Sequence, residues 1–462
     1  MKPFCNTAML VAALFSVLVA QLATASAARP LLADEATYRS PTGEVLVHYA
    51  TTGIDAPATI DSNGNSVPDF VEQIERTASF AMQKFIQLGF ARPLKDGVLG
   101  GDDRIDIYLR NVQNSDGNAG TDSCLDNRCV GFAIVENDFA GFNYVSITEA
   151  VESVVPHELF HLIQYTYSAQ QSTTWSEGSA VWAVEHLYGT GNSDMERFLP
   201  AFVSRTFRPF ERDSNGFGDA YPYGAALWPY FLEQEYGPEV VLATWQNCTT
   251  QPFLKAHEAT LAPYSVTIDQ AWTMFTRWNA HTGSRASVGD GYVHAASYPE
   301  APLETPIILT ADAPTTSTIF VEGLSARYVP LRLSQPQLIQ ILPGAGTRVV
   351  AVALPANQPL TAGRELTISA IVDGEPTAAP QPNVVPAGDY LLVITGLSRN
   401  TIATAVAIKI TTPPSPPKPP DSHDTSGCQS AGSGNLCVGI ALICLLQRRS
   451  RKSRVAQPRR GY

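Results

Sequence analysis

Between Glu44 and about residue 300, apolar and polar positions alternate between the strand period and the helix period. Glu44–Ala50 reads as a strand, and from Val71 the apolar residues Ile74, Ala78, Ala81, Met82 and Phe85 recur at helical spacing up to Gly89, where a helix would stop. Arg104–Arg110, Val130–Val135 and Gly141–Ile147 are predicted as further strands, and beyond Thr148 the segments are mostly helical between Gly- and Pro-containing loops. Residues 315–411 have a different character. Thr318–Glu322, Arg327–Leu333, Leu338–Leu342, Arg348–Leu354, Glu365–Val372, Tyr390–Thr395 and Ile402–Ile410 follow one another as strands, a pattern that predicts a β-sandwich. The expected fold class is α+β: a mixed domain over residues 28–300, then an all-β domain over residues 301–411. No internal repeat is present.

The two ends are of another composition. Met1–Ala27 begins with Lys2, runs apolar from Ala8 to Ala20 and finishes Ala25-Ser26-Ala27, the form of a signal peptide with an A-x-A cleavage site. Residues 412–427 are a Pro-rich linker, a stiff polyproline II spacer. In residues 428–462, Cys428 is followed by a short apolar run, Leu436–Leu446, and the basic cluster Arg448, Arg449, Arg451, Lys452 and Arg454. That order resembles the tripartite C-terminal sorting signals of Gram-negative bacteria, myxobacteria included, and implies export with processing near Gly427-Cys428 and surface attachment or release. The other reading is a tail that only tethers weakly to the inner membrane through its positive charge.

The ends also distort the charge. The formal charge is −12, but residues 1–27 and 447–462 carry eight basic residues and no acidic ones, so the remainder sets 23 basic against 43 acidic side chains. A body that acidic argues against nucleic acid as a partner, which needs basic surface. Membrane contact is expected only through the C-terminal tail, and the protein is expected to be a monomer. Six cysteines remain after the signal is removed. Cys124 and Cys129, in a loop rich in Asn, Asp and Gly, are expected to be bridged in an exported chain, the alternative being two unpaired loop thiols. Cys248 has no evident partner and is expected to be buried.

Candidate chemistry is concentrated in Val154–Tyr165. His157 and His161 are four apart, so on a helix both imidazoles leave one face and can share a metal ion. Glu158 can reach a water held by that metal. Two core or solvent-facing histidines on an ordinary helix would be the plain alternative, but the string follows strand candidates within an apolar helix, as the chemistry requires. Catalytic zinc takes a third protein ligand and keeps a fourth position open. Glu177, in Trp175-Ser-Glu-Gly-Ser-Ala180, lies sixteen positions after His161, room for a loop and a returning helix. Glu185 is two turns farther along and too distant.

His-Glu-x-x-His followed by Trp-x-Glu-Gly-x-Ala resembles the gluzincin group of zinc peptidases, and more closely a family of exported metalloproteases common in myxobacteria. The resemblance covers roughly residues 40–250, including Val45–Tyr49, the acidic loop at Asp61, Asp106–Leu109, His157–Gln164, Glu177–Ala180 and Tyr223–Trp228. It implies a zincin-like domain in which His157, His161 and Glu177 bind Zn²⁺ and Glu158 is the general base, with a protein or peptide as substrate. Tyr223 is the candidate oxyanion donor, against a plain packing role. Val130–Val135 is the candidate cleft edge on which an extended peptide adds as a strand. One departure stands out: only residues 28–43 separate the expected signal peptide from the first strand, leaving no obvious inhibitory propeptide.

A second constellation precedes this one. Asp61, Asn63, Asn65, Asp69 and Glu72 place oxygens at positions 1, 3, 5, 9 and 12 of a loop, with the Val67 carbonyl at 7, the spacing of an EF-hand Ca²⁺ loop. Ser66 stands where that loop has glycine, and the alternative is an Asn/Gly turn capped by Asp69. Residues 114–127 form a second acidic loop too irregular to assign. The leading expectation is thus a secreted or surface-attached zinc endopeptidase. The alternative is a non-catalytic surface module on a zincin scaffold. The β-rich half shows no polar cluster suggesting catalysis, which leaves it a targeting or stabilising role.

Overall fold

The computed structural model describes residues 28–39, 43–189, 194–212, 218–287, 291–309, 314–344, 347–355, 366–369, 383–399 and 402–414. The signal peptide, the sorting tail, most of the Pro-rich spacer and much of the strand expected over Glu365–Val372 lie outside the described residues.

The N-terminal half is a five-stranded mixed sheet covered by helices. Strands β1 (Glu35–Arg39), β2 (Val45–Ala50), β3 (Ile105–Arg110), β4 (Gly117–Leu125) and β5 (Arg128–Glu136) lie in the order β1-β2-β3-β5-β4. β2–β3 and β3–β5 are parallel, while both outer pairs are antiparallel. Helix α1 (Asp69–Gln87) buries Val71, Ile74, Ala78, Ala81, Met82 and Phe85, the stripe its sequence period marks out. Helix α2 (Ile147–Tyr167) buries most of its length, so its apolar character runs round the helix rather than along one face.

Three sequence expectations are corrected here. Gly141–Ile147 is not a strand: Ser146 caps α2, its hydroxyl accepting from the Glu149 amide, and Val145 is 93% exposed. Cap chemistry at Ser146 and Glu149 prevails over an apolar alternation of which no residue is fully buried. Within residues 114–127, the segment Gly117–Leu125 is strand β4, which Gly, Asn, Thr, Asp and Ser conceal from any hydrophobic pattern. Its partner β5 supplies the order, and Cys124 faces Cys129 across the hairpin, joined as a disulfide. The cleft edge is therefore not Val130–Val135, since β5 is flanked on both sides; β4 is the edge strand.

The chain continues through α3 (Thr173–Tyr188), α4 (Asp194–Val203), α5 (Tyr221–Gly224), α6 (Leu227–Tyr236), α7 (Glu239–Cys248), α8 (Phe253–Leu261) and α9 (Ile268–Ala280). Trp175, Trp182, Trp228 and Trp245 are fully buried among them, and Cys248 is a buried free thiol.

Two sheets then face each other. One runs β11 (Leu366–Ser369), β10 (Val349–Pro355), β13 (Gly388–Gly396), β8 (Ala326–Leu333) and β6 (Ile307–Leu309). The other runs β12 (Asn383–Val385), β9 (Gln337–Pro343), β14 (Thr404–Thr411) and β7 (Thr315–Val321). Ile319, Ile339, Ile341, Val406 and Ile408 of one meet Val329, Leu331, Ala351, Leu392 and Ile394 of the other in one core, which makes a β-sandwich. Strand β10 and much of β13 and β8 in the first sheet are buried on both faces. Tyr328, Val350, Val352, Leu354 and Val393 leave its opposite face and join the cluster that holds Trp272 and Phe275 of the helices. Polar ties cross the same boundary: the Tyr328 hydroxyl donates to the Thr276 carbonyl at 3.0 Å, and Arg399 pairs with Asp269 at 2.6 Å. Residues up to Pro413 accordingly form one compact unit.

Candidate metal centre

Helices α2 and α3 bring the sequence candidates together. His157 and His161 lie one turn apart on α2, and Glu177 sits in the first turns of α3, packed alongside. The three nearest atoms form a tight triangle: His157 Nε2 to Glu177 Oε2 is 3.2 Å, His161 Nε2 to Glu177 Oε2 is 3.4 Å, and the two Nε2 atoms are 3.1 Å apart. Among the described residues this is the one group of three His, Cys, Asp or Glu side chains whose ligand atoms gather in this way.

The triangle fits a metal. Zinc–ligand bonds of roughly 2.0–2.1 Å give a tetrahedron with edges of about 3.3–3.4 Å, close to all three separations. Two nitrogens and one carboxylate oxygen also make a donor set suited to zinc. Two imidazole nitrogens at 3.1 Å would otherwise need a proton between them.

Charge follows the same geometry. Burial works against an ionised Glu177, but the charges and hydrogen bonds of His161 and His157 outweigh it and hold the carboxyl well below the usual range. Burial likewise lowers His161, yet the Glu177 charge and hydrogen bond prevail and raise it to about 9. Glu158 is buried beside them without such a partner, and desolvation, opposed by the two imidazoles, pushes it up to about 7. A carboxyl poised there can both take and return a proton near neutrality.

Tyr223, on the short helix α5, stacks over His157 with ring centroids 5.7 Å apart. Burial, then the charges of Glu177 and Glu158, raise its phenol well above the usual value, so it stays a hydrogen-bond donor. Gly178 makes this approach feasible: a Cβ there would come within 3.0–3.2 Å of the Ala225–Ala226 backbone. The residue after Glu177 must be small for the Tyr223 segment to close over the site. Glu185 is not part of the cluster; its carboxyl is raised to about 7 by burial and by its neighbours Glu196, Glu233 and Asp194.

The cleft over the triangle has a volume of about 420 Å³ and is walled by Gly117, Asn118 and Ala119 of β4 on one side and by Gln171, Thr173 and Ser176 on the other. A smaller recess continues beside His157, Glu158 and Tyr223, where Tyr144 donates to Asp116 and Arg197 bonds both Tyr144 and Asp194. These four residues escaped the sequence reading, because they are far apart in the chain and carry no shared motif. Gln164 escaped it as a functional residue despite standing three positions after His161.

In the loop Asp61–Glu72, residues 62–66 are exposed, Asp61, Asp69 and Glu72 are half-buried, and none of these residues lines the cleft. Asp61 accepts from the backbone amides of Gly64, Asn65 and Ser66, Asp69 bonds Ser62, and the Asn63 and Asn65 amides donate to Glu72. Asp61, Asp69 and Glu72 do not form a gathered ligand triad as the zinc candidates do. Ser66, with φ +68°, takes the left-handed conformation for which an EF-hand loop uses glycine.

No protein-family model matches the chain, and no curated protein matches it. Solved structures with some geometric likeness include RmlC from Streptococcus suis in complex with dTDP-D-xylose (16% identity over 21% of this chain and 43% of that one, TM-score 0.15). Others are the pre-peptidase C-terminal domain of a Bacillus anthracis collagenase (13% identity, 24% of this chain, 100% of that one, TM-score 0.18) and Legionella pneumophila aminopeptidase A (11% identity, 80% of this chain, 36% of that one, TM-score 0.34). The chain thus spans less than half the length of two of these three. At such TM-scores none of them establishes a shared fold.

Proposed function

We propose that this chain is an exported zinc-dependent endopeptidase of the gluzincin type, its helical half being the zincin-like catalytic part. The observation that carries the reading is the triangle of His157, His161 and Glu177, whose edges match those of a four-coordinate zinc site with one position left open.

Bound zinc would supply Lewis acidity and bring the pKa of a coordinated water toward neutrality. The chain's own residues account for the rest. Glu158, raised to about 7, accepts the proton of the attacking water and returns it to the departing amine. Tyr223, kept protonated over His157, is placed to donate to the oxygen that becomes negative as the carbonyl is attacked. An extended peptide would lie along the free edge of β4, adding to the sheet through its backbone and presenting its scissile bond above the triangle. Export and surface processing belong to the same proposal and rest on residues 1–27 and 428–462. A structural Ca²⁺ at residues 61–72 is proposed from the loop's spacing alone.

The test is metal content together with hydrolysis of casein. Purified protein should hold one zinc per chain and cleave casein, and Glu158→Gln should abolish cleavage while zinc remains. Zinc-loaded protein that cleaves no peptide would instead favour a binding module on this scaffold.

A further inference from the structure

We propose that Gln164 is a positioning residue: its carbonyl oxygen fixes the ring of His161 so that Nε2 faces the metal, and its amide ties the His161 helix to the turn that bears Glu177. The inference rests on the zinc reading above.

The hydrogen-bond directions determine each other. Gln164 Nε2 lies 2.9 Å from the Ser176 carbonyl, which can only accept, so that end of the side chain is the NH₂ group. Its second hydrogen reaches Ser179 Oγ at 3.2 Å. The other end, Oε1, is then an acceptor, and it meets His161 Nδ1 at 2.9 Å. Nδ1 must therefore carry hydrogen, so that when His161 binds a metal as the neutral ring it is Nε2, on the side of His157 and Glu177, that offers the lone pair. Ser179 is itself held, its hydroxyl donating to the Trp175 carbonyl at 2.7 Å and accepting from Trp245 Nε1 at 3.2 Å. A buried relay thus runs from Trp245 on α7 through Ser179 and Gln164 to a metal ligand. Ser176, which Gln164 grips, immediately precedes Glu177. One side chain sets the orientation of one ligand and the position of the helix carrying another. With Gln164 and Ser179 buried, no solvent competes for these bonds.

Two substitutions separate the two ends of the side chain. Gln164→Met keeps the volume and removes both ends. Gln164→Glu keeps an oxygen for Nδ1–H but offers no hydrogen to Ser176. The measurements are zinc affinity by chelator competition, the exchange-protected Nδ1–H signal of His161 in ¹⁵N-histidine NMR spectra, and the melting temperature. Gln164→Met is expected to weaken zinc about 10- to 100-fold, the usual effect of removing a group that orients a ligand, and to lose the protected proton. Gln164→Glu is expected to restore both while still lowering the melting temperature. A purely structural role would move both variants together.

The proposal is overturned if Gln164→Met binds zinc as the wild type does, or if Gln164→Glu rescues neither signal. Should Gln164→Met not fold, Ser179→Ala removes one acceptor of the amide; a smaller loss of affinity supports the relay, and no loss overturns it. Should the wild type bind no zinc, the peptidase reading fails by itself. The Nδ1–H signal of metal-free protein then decides for Gln164, supporting it if Gln164→Met loses the signal and overturning it if the signal is unchanged.

Discussion

Gly117 opens β4 at the rim of the cleft, directly over the proposed base. A methyl group added there would stand 2.6 Å from Glu158 Oε1, 2.6 Å from Val154 Cγ1 and 2.8 Å from Glu158 Cγ. Its backbone is not in the left-handed region, so Gly117→Ala is a test of space and not of strain. Ordinary contact begins at 3.4 Å, and the gap from 2.6 Å means that either the strand, or the carboxylate together with the Val154 methyl, must yield by about 0.8 Å. Strand β4 is held by its pairing with β5 and by the Cys124–Cys129 bridge, whereas the recess beside Glu158 gives the carboxylate somewhere to go. A displacement near 1 Å at a reacting group costs on the order of 100-fold in rate, or about 2.7 kcal/mol of transition-state stabilisation. We expect Gly117→Ala to lower kcat on a fluorogenic peptide by about 10- to 100-fold, with KM little changed. Zinc stoichiometry should be retained, because the three atoms nearest the new methyl group belong to none of the three ligands. Wild-type kcat in the variant, or loss of zinc in step with activity, would refute the placement of Glu158 against this strand.

Two further outcomes are expected. Calcium added at fixed zinc should raise the melting temperature of the wild type by mass action and leave Asp61→Ala unmoved; equal response, or none in the wild type, would make residues 61–72 a simple turn. His48 is buried between Asp106 and Glu35, at 2.9 and 2.6 Å; burial lowers its pKa, but the two carboxylates prevail and raise it above 6.5. A raised folded-state pKa stabilises fully below the unfolded value, near 6.5, and the gain fades as pH rises through the folded value. Urea unfolding of zinc-loaded protein should therefore show a stability loss above that pH which is absent in His48→Gln. Parallel curves for the two would show that the imidazole does not change charge on folding.

What could be read from the letters, and what could not, follows from how each element is stabilised. Helix α1 and the outer strands of the sandwich owe their form to burial of a periodic face, so their periods are written in Ile74, Ala78, Phe85 and in Val406, Ile408 and Ile410. Strand β4 owes its form to a neighbour and a disulfide, and nothing in Gly-Asn-Ala-Gly-Thr-Asp-Ser carries a strand period. Gly141–Ile147 carried the period and had no sheet edge to join, since α2 begins within it. At the centre, His157, Glu158 and His161 are legible because a helix turns a spacing of four into adjacency, and Glu177 because one loop separates two helices. Asp116, Tyr144, Asp194 and Arg197 converge only through tertiary packing, which leaves no local trace.

Burial of strand β10 on both faces has a thermodynamic consequence. Val350, Val352 and Leu354 belong to the helical core, while their neighbours Val349, Ala351 and Ala353 belong to the sandwich core, so a single strand is a wall of two interiors. Melting either interior strips cover from the other. Heat should therefore take the body apart in a single cooperative transition, with calorimetric and van't Hoff enthalpies that agree. A chain assembled this way has no shorter piece to fall back on: the sandwich acts as the rear wall of the helical half, and it could not be traded for another appended module without rebuilding the helices that lean on it.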